Sequence, residues 1–416
     1  MKILAINCGS STLKFQLIEV QAEHSVSWQE QRLASGFIDG IGDHARIQFA
    51  PENAERFKEN VAIADHGEAT NQVLSWLSST GLVGFEAVGH RVVHGGVNFM
   101  GPTLIDDDVI KSLEALSYLA PLHNEPSLRA IRVARSALGS ALPQVATFDT
   151  SFHLTIPEKA SKYAIPWELT EKHGIRRYGF HGLAHRYMTE RYVAITGRPT
   201  EQVNLITLQL GNGCSATAVR GGCSIDTSMG LTPLEGLIMG TRSGDVDPSL
   251  AGFLARNERV SIEQAEAWLN TQSGLLGISG RSRDMRELLE AEAGRDARAA
   301  LAVEMFCYRV RKYIGAYLAV LGQTEAIIFG GGIGENAPSV RARICDGMEW
   351  CGLVLDPSLN ARTIGSEGRI SAGSATLHAY VIPVDEEVII ARDTVGCLAS
   401  GKGTMPTPDP ESRGTN

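Results

Sequence analysis

Residues 204–228 read NLITLQLGNGCSATAVRGGCSIDTS. An apolar run ends in the turn residues Gly211-Asn212-Gly213, a second strand-like run SATAV follows, and Arg220-Gly221-Gly222 leads into CSIDTS. This is the pattern of antiparallel strands joined by glycine-rich turns. The start of the chain repeats it: Lys2 to Asn7 is apolar, Cys8-Gly9-Ser10-Ser11 is turn chemistry, and Leu13, Phe15 and Leu17 alternate with polar residues. Each hairpin leads into alternating helices and strands. After the first come helical spacing over 66–80, a strand over Ala87 to Val93, two helices within 106–137 parted by Pro121, and strand-like Gln144 to Phe148. After the second come helices at 261–270 and 297–321, then Ala326 to Phe329 running into Gly330-Gly331-Gly332-Ile333-Gly334. The expectation is a duplicated α/β unit with a cleft between its halves.

Composition agrees with a folded chain of this kind. At about 150 residues per domain, 416 residues allow two or three domains, and 43% hydrophobic with 20% charged residues excludes wholesale disorder. The net charge of −9 argues against a nucleic-acid binder, which needs clustered cations. The chain nowhere runs 18 apolar residues together, and the N-terminus turns polar after six residues, so neither a membrane span nor a signal segment is expected. Seven scattered cysteines without a CxxC pair suit a reducing, cytoplasmic setting. The last stretch, 399–416, lacks apolar pattern and is expected to be a disordered tail.

Three motifs compete for attention. Gly396 to Gly403 approaches a Walker A loop but lacks its final Ser or Thr and a following helix. Gly332-Ile333-Gly334-Glu335-Asn336-Ala337 fits GxGxxA after a strand, yet such a fingerprint opens its domain and here some 80 residues follow. His90/His94 and His181/His185 are each spaced by four, but neither belongs to an HExxH motif. His94 and His185 read as hydrogen-bonded structural residues, whereas His181, between Phe180 and Gly182 on an expected loop, is a functional candidate. What stands out is the recurrence of Gly, Ser and Asn at strand ends, over 7–12, 211–215 and 330–336, where backbone N–H groups can cradle phosphates.

The motifs spread over this framework resemble those of the acetate kinase family, from residue 7 to about 395. Asn7-Cys8-Gly9-Ser10-Ser11-Thr12-Leu13-Lys14 is similar to its first signature and His90-Arg91-Val92-Val93-His94-Gly95-Gly96 to its second. LAPLHN at 119–124, FDTSFH at 148–153, RRYGFHG at 176–182, the segment 226–248, SRDMR at 282–286 and GGIGEN at 331–336 are similar as well. The resemblance implies two actin-like (ribonuclease H-like) ATPase domains, 1–150 plus 387–398 and 151–386, with the active site in the cleft between them. It implies reversible transfer from MgATP to acetate, giving ADP and acetyl phosphate, by a homodimer. Arg91, Arg242, His181, His123 and Asp149 match its catalytic positions, and Val93, Leu122, Phe180 and Pro233 the pocket for the acetate methyl. Asn7 and Glu386 match its Mg²⁺ positions. Lys14, Gln209, Leu210, Gly211, Asn212 and Gly213 match nucleotide positions, as do Asp284, Met285, Arg286, Gly331, Gly332, Ile333, Gly334, Glu335 and Asn336.

The chemistry of these residue types fits that implication. Phosphoryl transfer chiefly needs positive charge around the equatorial oxygens and in-line alignment, which arginines and a histidine supply. A sugar kinase uses an aspartate to take a hydroxyl proton. A carboxylate nucleophile is already ionised near neutrality, so Asp149 reads as a positioning or magnesium-shell group. The chain departs from the family pattern at Gln209, where His is usual, at Leu183-Ala184 in place of Thr-Ser, and at Val384-Asp385 in place of Thr-Asn. Other readings are a propionate or butyrate kinase of the same fold, an actin-like nucleotide switch that controls a binding partner, and an NAD-dependent enzyme.

Overall fold

The computed structural model describes residues 1–23, 27–52, 55–117 and 121–400. The chain forms two compact units, Met1–Ser151 with Asp385–Asn416, and Phe152–Val384.

The first unit is built on strands β1 (Lys2–Cys8), β2 (Thr12–Glu23), β3 (Ser27–Asp39), β4 (His44–Pro51), β5 (Phe57–Ala62), β6 (Ala87–Val92), β7 (Thr103–Leu104) and β8 (Gln144–Phe148). They lie in the order β5-β4-β3-β2-β1-β6-β8-β7. The opening hairpin pairs β1 with β2 antiparallel, Asn7 opposite Lys14, while β1, β6 and β8 run parallel, with Asn7 opposite Arg91 and Arg91 opposite Thr147. Side chains alternate between faces along a strand. Leu4, Ile6, Cys8, Leu13, Phe15 and Leu17 therefore share one core with helix His66–Ser79, represented by Ala69, Val73 and Leu77. Ile3, Ile18 and Val20 share the opposite core with Ala391 and Val395 of the last helix, Glu386–Ser400. Asn7, Lys14 and Gln16 lie on that second face, which brings them to the start of this helix.

The sequence boundary needs two corrections here. Ser151, Asp385 and Glu386 belong to the first unit, not the second; Asp385 accepts a hydrogen bond from Gln16 Nε2 (2.9 Å) and pairs with Arg32 (2.7 Å). Ala399 and Ser400 continue the helix where a tail was expected, and 401–416 lie outside the described residues.

The second unit contains β9 (Asn204–Leu210), β10 (Cys214–Arg220), β11 (Cys223–Thr227), β12 (Ala326–Gly330), β13 (Gly368–Arg369) and β14 (His378–Val381), ordered β11-β10-β9-β12-β14-β13. Its first five positions reproduce β3-β2-β1-β6-β8 of the first unit, two antiparallel pairings followed by two parallel ones. The duplication is thus a duplicated sheet core. The hairpin does not open this unit as expected, since Glu158–Ser161, Trp167–His173 and Gly182–Thr196 are helices that precede it. Gly182–Thr196 covers the β9 face bearing Leu205, joining it through Met188 and Tyr192. Helix Ala297–Leu321 starts where Asp296 accepts from the N–H groups of Arg298 and Ala299, and ends at Gly322 with φ +73°. Its buried residues, Ala299, Ala302, Val303, Phe306, Cys307, Val310, Ile314, Tyr317 and Leu321, recur at helical spacing.

Candidate active site

In the first unit the expected residues meet at the carboxyl ends of β1, β6 and β8, where α/β sheets bind ligands. Arg91 leaves β6 on the same face as Asn7. Its Nε donates to Asp149 Oδ1 (3.0 Å) and its Nη2 to Asp149 Oδ2 (2.6 Å), a two-pronged pair, while Nη1 donates to Asn7 Oδ1 (3.0 Å). Asp149 is fully buried and Arg91 nearly so. Burial opposes the Arg91 charge, but Asp149, Glu386 and Glu387 outweigh it and hold its pKa above the ordinary guanidinium range. Asn7 Nδ2 in turn donates to Glu386 Oε2 (2.8 Å) and Glu387 Oε1 (2.9 Å). These two carboxylates start the last helix, where its dipole favours negative charge. Burial pushes the Glu387 carboxyl up, as do Asp385 and Glu386, while Lys14 and the Asn7 hydrogen bond act against that shift.

Glu386 is the partly exposed carboxylate of this group, its side chain 15% accessible against 0% for Asp149. Its oxygens and the Asn7 amide are hard donors that suit Mg²⁺, an ion that takes few protein ligands and completes its shell with water and phosphate. No cluster of three or more His, Cys, Asp or Glu is arranged to bind a metal among the described residues. Val93, two residues after Arg91, is buried. Leu122 and His123 begin the helix Pro121–Leu138, and their side chains lie outside the described residues.

In the second unit, β9 and β12 are parallel neighbours with Gln209 opposite Gly330, so the loops that follow them lie side by side. Gly331 has φ +74°, and a Cβ there would come 2.7 Å from Leu210 O, so this approach requires glycine. Leu210 is buried and offers only its backbone. A Cβ on Gly213 would lie 3.2 Å from His181 Nε2 and 3.8 Å from Arg242 Nη1. Gly213, His181 and Arg242 therefore surround one point. His181 has φ +56° immediately before helix Gly182–Thr196, a left-handed conformation uncommon outside glycine that it shares with Arg259 and Arg295 among the described non-glycine residues.

Arg242 differs from Arg91 in its partners. Its Nη1 donates to Pro233 O (2.9 Å) and contacts Met239 Sδ (3.7 Å), both neutral. Burial lowers its pKa, with only Cys214 acting against that shift. A guanidinium stays protonated regardless. The result is a partly buried cation that meets no carboxylate among the described residues, an arrangement that an anionic ligand would complete.

The remaining expected residues are placed as follows. Pro233 is partly buried and tied to Arg242, whereas the Phe180 ring is 1% exposed and its carbonyl accepts from His153 Nε2 (3.0 Å). Gly331–Asn336 forms a short helix. Arg341, fully buried and absent from the sequence reading, donates through Nη1 to the carbonyls of Gly334 (2.8 Å) and Glu335 (3.0 Å). Asp284 caps helix Met285–Ala293 and pairs with the exposed Arg286 (2.6 Å), while Met285 is buried. A cavity of about 510 Å³ beside that helix is lined by Arg281, Glu287, Glu290, Ala291, Gly294, Arg295 and Asp296, none of them an expected nucleotide residue. His94 lies just past β6, and His90 bonds Gln144 (2.8 Å), so the two do not form a ligand pair on one strand.

Two α/β units sharing one sheet order, each with an arginine and glycine-bearing loops at strand ends, are the framework of a phosphotransferase that acts on a carboxyl group. The chain belongs to the acetokinase family, whose model matches residues 2–392. An acetate kinase of Solibacter usitatus (strain Ellin6076) is 50% identical over 407 residues, 96% of this chain and 98% of that protein. One of Chloroherpeton thalassium (strain ATCC 35110 / GB-78) is 48% identical over 413 residues, 96% and 99% of the two chains. The acetate kinase structure of Porphyromonas gingivalis matches with a TM-score of 0.86 at 38% identity, covering 95% of this chain and 99% of that one. A propionate kinase from Francisella tularensis subsp. tularensis SCHU S4 matches with the same TM-score at 40% identity and the same coverage.

Proposed function

We propose that this protein transfers a phosphoryl group reversibly between MgATP and acetate, forming acetyl phosphate and ADP. The observation that carries this reading is Arg242, a partly buried guanidinium held by neutral groups beside His181 and Gly213. Such a cation, with an adjacent ring N–H, stabilises charge on equatorial phosphoryl oxygens. Arg91, locked by Asp149, supplies the second guanidinium, and its fixed geometry makes Asp149 an orienting group, which suits a nucleophile that has no proton to lose. Lys14, Gln209 and the glycine loops from 210 to 213 and 331 to 336 take the nucleotide phosphates, and Asp284 to Arg286 the nucleoside. Asn7 and Glu386 hold the metal, which when bound neutralises phosphate charge. Val93, Leu122, Phe180 and Pro233 enclose the methyl group, and His123 contributes a polar contact.

The same reading includes a homodimer in the cytoplasm. The exposed Phe253, Tyr308 and Trp350 of the second unit support the dimer, and the buried free cysteines support the reducing setting. The test is incubation with MgATP, hydroxylamine and acetate, propionate or butyrate in turn. Acetyl hydroxamate is expected to form fastest, with propionate slower and butyrate poor, since one methylene changes selectivity by only about 1–3 kcal/mol. Faster turnover of propionate would reassign the substrate, and no hydroxamate with any acid would overturn the function.

A further inference from the structure

Ser215 stands between two histidines. Its Oγ lies 2.9 Å from His181 Nδ1 and 2.7 Å from His185 Nε2, and His185 Nδ1 lies 2.8 Å from Thr207 Oγ1. The sheet explains the grouping. Thr207 and Gln209 on β9 and Ser215 on β10 share the face covered by helix Gly182–Thr196, with Ser215 directly opposite Gln209. Ser215, His185 and Thr207 are each 0% exposed, so these four groups form a chain whose far end is sealed in the core.

The direction of the protons follows from satisfying every donor. Burial first, then the neighbouring His153 and His181, holds His185 well below the ordinary imidazole pKa, leaving a neutral ring with one N–H. Among the described residues, Thr207 Oγ1 has a single hydrogen-bond partner, His185 Nδ1. If Nδ1 carried the proton, Thr207 would accept it and its own buried hydroxyl proton would have no acceptor. In the opposite sense every proton is used. Thr207 donates to His185 Nδ1, His185 Nε2–H donates to Ser215, and Ser215 donates to His181 Nδ1.

We infer that Ser215 is a positioning residue for the transfer proposed above, holding His181 in the tautomer that carries its proton on Nε2, the nitrogen beside Gly213 and Arg242. The inference rests on that function for its kinetic consequence, but the tautomer is a property of the resting protein. No atom is transferred along the chain; it fixes one ring nitrogen as acceptor and the other as donor.

Two measurements test it. In ¹⁵N-histidine spectra of the unliganded protein, His181 is expected to show a protonated Nε2 and an unprotonated Nδ1, and Ser215→Ala should convert that signal into a tautomer mixture. A wild-type His181 protonated on Nδ1 would overturn the inference, whatever the enzyme's activity. In kinetics, Ser215→Ala should lower kcat about 10- to 100-fold with little change in either KM, as loss of an orienting partner does. Ser215→Thr, which keeps the hydroxyl, should recover most of the loss, and adding Ser215→Ala to His181→Ala should cost nothing more. Full turnover in Ser215→Ala, or a further loss in the double variant, would refute the role. A wild-type protein that phosphorylates none of the acids would refute the proposed function and leave the spectra to decide the tautomer.

Discussion

Arg91 and Arg242 show how one residue type is prepared for two duties. Arg91 is held on three sides by Asp149 and Asn7, so its geometry is set before a ligand arrives. Arg242 is partly buried against neutral oxygen and sulfur, so its charge is not neutralised by any carboxylate among the described residues. Replacing one partner of a buried pair leaves the other uncompensated, whereas removing an unpaired buried charge relieves desolvation. Arg242→Met is therefore expected to lower kcat by about 10²–10³ while leaving the urea midpoint unchanged or higher. Asp149→Asn should lower turnover and also stability, by about 3 kcal/mol, the lower end for a broken buried pair because Glu386 remains 3.8 Å from Arg91. Steady-state kinetics and urea titration on both variants check this, and an Arg242→Met protein that unfolds more easily than wild type would contradict it. Asn7, Arg91 and His181 were readable as motif positions, and their roles are those proposed above. Ser215 and Glu387 were not, because each acquires its role from a partner brought by folding, Glu387 from Asn7 at a separation of 380 residues.

At the scale of elements, Arg341 connects the short helix Gly331–Asn336, proposed above to take the nucleotide, to the helices behind it. Besides the carbonyls of Gly334 and Glu335, its guanidinium bonds Asn360 Oδ1 (2.8 Å), Asn360 O (2.8 Å) and Thr363 O (2.7 Å). Lysine cannot reproduce a planar fork that reaches five acceptors. Arg341→Lys is expected to cost about 2–3 kcal/mol of stability and to raise the KM for ATP more than that for acetate. Equal shifts in both constants would show that the short helix's tie to Arg341 does not serve the nucleotide. Which elements were legible follows from how they are buried. Strand β1 reads as a continuous apolar run because helices cover both faces of its sheet, and β2 alternates over Leu13, Phe15 and Leu17, which face the 66–79 helix. Strand β5 is exposed along nearly all its length, so no alternation marks it. Helix Gly182–Thr196 buries His185 and Thr189 together with Leu183, Met188 and Tyr192, so its inward face does not read as apolar. A functional core made of polar side chains hides its own periodicity.

For the whole molecule, the buried imidazoles set the response to acid. Burial lowers His90, His94 and His153 to about 4. Each ring is neutral in the folded protein down to that pH, while the unfolded chain protonates it near 6.5. The unfolded state binds more protons between these values, so stability is full above about 6.5 and falls as the pH drops through the window. From pH 7 to pH 5 the loss is about 2 kcal/mol per ring on this scale. Urea midpoints across that range are expected to fall steeply, and His153→Gln should flatten the slope. A midpoint that stays constant from pH 7 to pH 5 would show that these rings titrate normally.

The helix Glu386–Ser400 completes a sheet whose first strand begins at Lys2, and this has a consequence for how the protein is made. Ribosomes add about 5–20 residues per second, so Asn7 emerges roughly 20–75 s before the Glu386 it bonds, 379 residues later. During that interval Ile3, Ile18, Val20 and Ala87 have no helix to cover them, although the intervening unit, Phe152–Val384, is continuous and can fold as it appears. The first unit is thus begun first and finished last. Nascent chains stalled before residue 385 should present that bare apolar face to chaperones, and release of the last 32 residues should close it.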